Sequence, residues 1–131
     1  MSVNKVILLG NVGRDPEIRY PEKDHPVAYL SLATNERQPN SDTELVEWHI
    51  LVMSGQNAIL AERYIRKGTR LYVEGRLRTR EYVDKFKISR RRTEIYVDVM
   101  EILGMPDISV MLSWMVIRFR IWQHLRKSSV A

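Results

Sequence analysis

Apolar residues along this chain recur mostly at every second position, in short runs separated by polar segments that carry glycine or proline, a pattern of strands and turns. Val3 to Leu9 is apolar and β-branched, too short for a globular helix, and predicts a strand buried on much of both faces up to Gly10. Gly10 to Glu17 (GNVGRDPE) has the composition of a turn. Val27 to Thr34 predicts a second strand and Leu45 to Met53 a third, joined through Glu36 to Glu44, where Pro39-Asn40-Ser41-Asp42 suits a hairpin loop. Only Gln56 to Lys67 changes period. There Ala58, Ile59, Ala61, Tyr64 and Ile65 share a helical stripe, Arg66 and Lys67 complement the carboxyl end of the helix dipole, and Gly68 is placed to stop it. Leu71 to Val83 predicts the fourth strand, Asp84 to Arg91 a basic connection, and Thr93 to Leu103 the fifth, with Ile95, Val97 and Val99 on one face.

Three strands, one helix and two strands is the order of an OB-fold, an all-β, five-stranded Greek-key barrel with its helix between the third and fourth strands. The 131 residues suffice for one such core. Residues 1–104 are expected to form the barrel and 105–131 a separate tail. The absence of cysteine excludes disulfides and thiolate metal sites and fits a reducing cytosol. The first residues lack secretory-signal architecture, so a cytoplasmic protein is expected.

Charge changes the picture of the fourth strand. Residues 1–62 hold five Lys/Arg against nine Asp/Glu, residues 63–92 hold twelve against three, and the remaining 39 hold four of each. The net charge of +5 thus hides a 30-residue basic block, the footprint expected of a polyanion site. Within it LYVEGRLRTREYV alternates cleanly. Leu71, Val73, Gly75 and Leu77 form an apolar face fit for a core, while Tyr72, Glu74, Arg76, Arg78, Arg80 and Tyr82 form the other. Guanidinium groups neutralise phosphate and stack on bases, and an aromatic ring offers a platform to any base, so this face points to nucleic acid.

Several segments in order, VNKVILLGNVGRDPEIRY, SLATNE, EWH, AERYIRKG and YVEGRLRTR, closely resemble bacterial single-stranded DNA-binding proteins from Met1 to about Gly104. The resemblance implies an OB-fold subunit, usually a homotetramer, that wraps single-stranded DNA without sequence preference during replication, recombination and repair, with no enzymatic activity, metal or cofactor. It implies base-stacking roles for Trp48 and Tyr82, and backbone contacts at or near Lys5, Arg19, Arg66, Lys67, Arg76 and Arg80. Arg78 joins them by alternation, and Arg90, Arg91 and Arg92 lie where the family's loop between the last two strands rejoins the barrel. It also implies a cytoplasmic, nucleoid-associated protein.

Departures from the family are equally plain. Gln38 and Ser54 stand where two further aromatics are usual, and Ile50 replaces a frequent basic residue. In place of a disordered linker with an acidic tip, residues 105–131 read MPDISVMLSWMVIRFRIWQHLRKSSVA, so recruitment of repair and replication enzymes through such a tip is not expected. A surface helix on a membrane, a helix packed on a neighbouring subunit, and a divergent end that does not fold are the open readings of that tail. Periodicity alone groups Trp48 with Val46, Ile50 and Val52 and would bury it; the resemblance assigns it to the DNA. His25, His49 and His124 have no partner in ligand register, which argues against metal or catalytic work, and GNVG lacks the Lys-Ser/Thr of a phosphate loop. The alternative function is an OB-fold interaction module, a primosome-type adaptor or a tail-altered paralogue that mixes with a normal single-strand binder.

Overall fold

A computed structural model describes residues 1–105 of the chain, so all but Met105 of the tail, and every expectation attached to it, lies outside the described residues. The elements run β1 (Val6–Val12), β2 (Glu17–Glu22), β3 (His25–Arg37), β4 (Glu44–Ser54), α1 (Gly55–Tyr64), β5 (Arg70–Val83) and β6 (Ser89–Gly104). The sheet order is β1-β5-β6-β4-β3-β2, and β1 also pairs with β3 through Asn11↔Ala33 and Val12↔Leu32. That extra pairing closes β1, β5, β6, β4 and β3 into the expected five-stranded OB barrel, with β2 left as an edge strand on β3. The helix sits between the third and fourth barrel strands in chain order.

Alternation puts one set of side chains inside. Ala28, Leu30 and Leu32 of β3, Leu51 and Met53 of β4, Leu71 and Val73 of β5, and Ile95 and Val97 of β6 are buried, and Ala58, Ala61 and Ile65 plug one end of the barrel. Closure demands a residue without a side chain at the crossing: a Cβ on Gly10 would lie 2.2 Å from the Ala33 carbonyl oxygen.

Several boundaries differ from the sequence reading, each for a local reason. Gly10 does not end β1, which pairs with β5 as far as Asn11↔Arg70. Glu17–Glu22, not foreseen as a strand, is recruited by pairing with β3 around a tight turn in which Asp24 takes φ 67. The helix ends at Tyr64 rather than Lys67 because Ile65 leaves helical geometry, its N–H still bonded to the Ala61 carbonyl, and drops into the core. Asp84 to Arg91 is a strand-to-strand turn rather than a loose connection, and β6 already begins at Ser89. Val99 does not share the inner face of Ile95 and Val97. The β5–β6 register slips between Glu74↔Val99 and Gly75↔Val97, leaving Asp98 as an extra residue, and Met100 and Ile102 take the inner positions instead. Val99 is accordingly exposed.

β5 loses β1 beyond Gly75 and β6 is free of β4 before Ile95, so from Arg78 onward the β5–β6 pair projects as a two-stranded arm, and Leu77, on the inner phase at its root, is 47% exposed. Asn4 braces its root. Its side chain accepts a hydrogen bond from the Leu77 N–H at 3.0 Å and donates to the Leu77 carbonyl at 2.9 Å, prolonging the β1–β5 ladder.

Candidate nucleic-acid interface

The outward faces of β5, β6, β4 and β3 form one continuous band, because each strand pairs with the next in that order. On β5 the even positions all point outward, opposite even positions of β6: Arg76↔Tyr96, Arg78↔Glu94, Arg80↔Arg92 and Tyr82↔Arg90. The guanidinium of Arg78 lies over the Tyr96 ring, 5.2 Å from its centroid, a cation–π contact that holds it flat on the sheet. Arg76 reaches Asp98 at 3.5 Å. Glu94, only 1% exposed, sits between Arg80 at 3.8 Å and Arg92 at 3.5 Å. None of these pairs is short enough to immobilise a guanidinium, and Arg76 and Arg80 keep more than half their side-chain surface open. Arg92 Nε and Glu94 Oε2, both buried, face each other at 3.5 Å without a good hydrogen bond and have no other partner among the described residues.

Trp48 stands on the same band. Parallel pairing of β4 with β6 at Leu51↔Ile95 and Val52↔Tyr96 sets the outward row Trp48, Ile50, Val52 beside the arginine–tyrosine row. The indole is 59% exposed, which settles its choice between core and surface. It lies directly over Gly13, where a Cβ would approach ring atoms Cζ3 and Cη2 to 2.3 and 2.7 Å. Val46 is also exposed, and Ile50 and Val52 half-buried, so the whole row faces outward. His49, one residue on, points inward and shares a 2.9 Å hydrogen bond with Thr34.

The remaining expected residues are distributed around this band. Tyr82, 39% exposed, faces outward on the arm with Arg80, Arg90 and Arg92. Arg90 is tied to Asp84 at 2.6 Å, and that carboxylate also accepts the N–H groups of Phe86 and Ile88, so the turn of the arm is knitted by one side chain. The Arg90 hydrogen bond and the two N–H donors hold the Asp84 carboxyl below its ordinary range. Arg91 faces the reverse side with Glu81 at 3.2 Å. Lys5 lies on the β1 side, hydrogen-bonded to Glu74 at 2.8 Å, which raises the ammonium pKa and lowers that of the carboxyl. Arg19 lies on β2, bonded to Glu17 and stacked over Tyr29. Arg66 folds back onto the carbonyls of Glu62 and Ile65, capping its own helix. Lys67 donates its backbone N–H to Asp15 in the turn between β1 and β2.

Sequence reasoning passed over Tyr96, Glu94, Gly13 and Phe86. Phe86, 70% exposed at the tip of the arm between Lys85 and Lys87, was legible as a ring flanked by cations. Glu94 and Gly13 gave no signal, since their roles come from contacts across strands. At the other two stacking positions Gln38 occupies the β3–β4 loop and Ser54 the last residue of β4, neither bearing a ring. Among the described residues no three His, Asp or Glu side chains are grouped to hold a metal.

Comparison with known proteins agrees with this geometry. Residues 3–103 match the family described as "Single-strand binding protein family". The chain is 45% identical over 109 residues to the single-stranded DNA-binding protein of Bacteroides thetaiotaomicron, a match covering 79% of this chain and 68% of that one. Among solved structures it is similar to the Plasmodium falciparum SSB in complex with ssDNA, with a TM-score of 0.70 and 35% identity over 79% of this chain and 97% of that one.

Proposed function

This chain belongs to the single-strand binding protein family, and we propose that it binds and protects single-stranded DNA without reading its sequence, along the outward band of β5, β6, β4 and β3. Proteins of the family bind DNA and are not enzymes. The observation that carries the reading is the exposed indole of Trp48 sharing one surface with Arg76, Arg78, Arg80 and Arg92, the combination of stacking platform and phosphate-neutralising groups that single strands require. Lys5, Arg19, Lys67, Tyr82 and Arg90 extend the surface at its margins. The test is equilibrium titration of the full chain with oligo-dT over a range of salt. A log–log slope of about −0.7 per neutralised phosphate is expected. Salt-independent binding, or equal affinity for duplex, refutes the reading.

The same proposal includes self-association, with a homotetramer as the working stoichiometry. Support comes from Ile7, Leu9 and Val99, three apolar side chains exposed on the outer face of β1 and β6 around Tyr72 and Glu74, at the end of the β5 outward row opposite the arm. The proposal extends to a role in replication, recombination and repair in the cytoplasm, at the nucleoid, and membership of the family supports it. No helix among the described residues is long and apolar enough to cross a membrane.

A further inference from the structure

Tyr29 is half-buried on the outward face of β3, with Val52 of β4 on one side and Glu17 of β2 on the other. Beside it opens a cleft of about 170 Å³ lined by Arg14, Glu17, Tyr29, Ser31, Ile50 and Arg92 among others. We propose that Tyr29 and this cleft form a nucleobase subsite at the β2 end of the band, with the phenol ring as its stacking platform; the proposal rests on the reading that the band binds single-stranded DNA.

The lining has the chemistry a nucleotide needs. The Tyr29 ring and the Ile50 side chain supply flat apolar surface, the Ser31 hydroxyl can donate to or accept from a base edge, and Arg14 and Arg92 supply cations for the phosphate beside two carboxylates already bonded elsewhere, Asp15 to the Lys67 N–H and Glu17 to Arg19. The Arg92 side chain keeps 37% of its surface open, so part of its guanidinium can be reached from the cleft. The Arg19 guanidinium lies over the ring, 5.0 Å from its centroid, and makes two hydrogen bonds to Glu17, at 2.8 and 3.0 Å; both side chains are more than half exposed, so an arriving base can displace the cation from the ring face. Tyr29 and Trp48 are the only tyrosine or tryptophan rings on the outward rows of β3 and β4. Trp48 lies opposite Ala33, four residues along β3 from Tyr29, so the two rings are roughly 13 Å apart along the strand. Ser31 and Ile50 lie between them, directly opposite one another. A strand stacked on the indole therefore continues over the cleft to reach the phenol.

The experiment titrates the full chain and its Tyr29→Leu, Tyr29→Phe and Trp48→Ala variants with oligo-dT at one salt concentration, with thermal melting of each. Tyr29→Leu keeps apolar bulk and removes the π face, and should weaken binding by roughly 5- to 150-fold, the range of one lost stacking platform. Tyr29→Phe should bind like the parent. Parent-like binding by Tyr29→Leu, with Trp48→Ala weakened, overturns the subsite and leaves single-strand binding standing. Equal losses for Phe and Leu place the effect in the hydroxyl and overturn stacking. A parent that does not bind oligo-dT overturns both readings. Should Tyr29→Leu fail to fold, photocrosslinking of the parent to an oligonucleotide carrying 5-iododeoxyuridine decides. A crosslink mapped to Tyr29 supports the subsite, and crosslinks at Trp48 with none at Tyr29 refute it.

Discussion

Gly13→Ala is the smallest change that should disturb the interface without touching a residue that contacts DNA. The added methyl carbon would sit 2.3 and 2.7 Å from two carbons of the Trp48 ring and 3.2 Å from Ser31 Oγ. Carbon atoms rest at about 3.5–4.0 Å, so the indole must retreat by more than roughly 1 Å. The backbone cannot yield instead, because the Gly13 N–H is bonded to the Ser31 carbonyl at 2.9 Å, where β1 meets β3. Gly13 is not among the residues with positive φ, so alanine meets no dihedral penalty there. The ring is mostly exposed and can swing into solvent, which keeps the folding cost low, and the loss of about 0.4–1 kcal/mol of unfolded-chain entropy on Gly→Ala partly offsets it. The stacking platform is what suffers. Affinity for oligo-dT should fall by up to the whole contribution of one stacked base, roughly 1–3 kcal/mol, with the salt slope unchanged. The assay is tryptophan quenching in a Trp114→Phe, Trp122→Phe background, since the chain has three tryptophans and only Trp48 should report. A double-mutant cycle closes the argument: in a Trp48→Ala background, Gly13→Ala should change nothing further. Unchanged affinity in the single variant, or additive losses in the double, would show that Gly13 does not act through the indole.

Three further outcomes follow from the contacts described. Changing Arg76 and Arg80 together to Ala should flatten the salt dependence of binding for all oligonucleotide sequences alike, and an unaltered slope would mean that these groups stay in solvent. Ile7→Asp should shift the sedimentation of the protein toward a monomer while leaving the melting transition of the barrel in place, since Ile7 is 58% exposed; a parent already monomeric at micromolar concentration defeats the assembly proposal. For Asp84 the folded-state pKa lies below the unfolded one, so its stabilisation of the arm turn is complete above the ordinary aspartate range and is lost as pH falls through the lowered folded value. Hydrogen exchange at the Phe86 and Ile88 amides, corrected for the intrinsic pH dependence, should become less protected over that acid window, and Asp84→Asn should abolish the pH effect.

The barrel was legible because period-two alternation records which side of a strand meets the core, and Leu71, Val73, Leu51 and Met53 are buried as that alternation requires. What escaped is what alternation cannot encode. An extra residue such as Asp98 reverses the phase of everything after it, which moved Val99 outward and Met100 inward with no mark in the sequence. Glu17–Glu22 holds Pro21 and three charged residues and forms a strand only because β3 offers it an edge. Most of the candidate site was visible as the arginine-bearing face of β5, because charge and period coincide there. Tyr29 was hidden in plain view on a strand read as core, while Gly13 and Glu94 matter through neighbours far along the chain. Leu77 met the apolar pattern yet is exposed, since hydrophobicity cannot tell where a strand pair outgrows its barrel.

That outgrowth has a consequence for solubility. From Thr79 to Val83 and from Ser89 to Thr93 the two strands of the arm pair only with each other, so among the described residues both outer rims carry backbone donors and acceptors with no third strand. Such rims are templates for strand addition by another molecule, and charged side chains along them are the usual deterrent. Arg80, Arg90, Arg91, Arg92, Lys85 and Lys87 supply that deterrent on an arm that also exposes Val83, Phe86 and Ile88. The cations offered to a polyanion therefore double as guards against stacking of the arms upon themselves. Stripping them to probe DNA contacts would unmask a sticky ribbon, and neutralisation by a bound strand would lower the same barrier between neighbouring molecules crowded along one lattice of DNA.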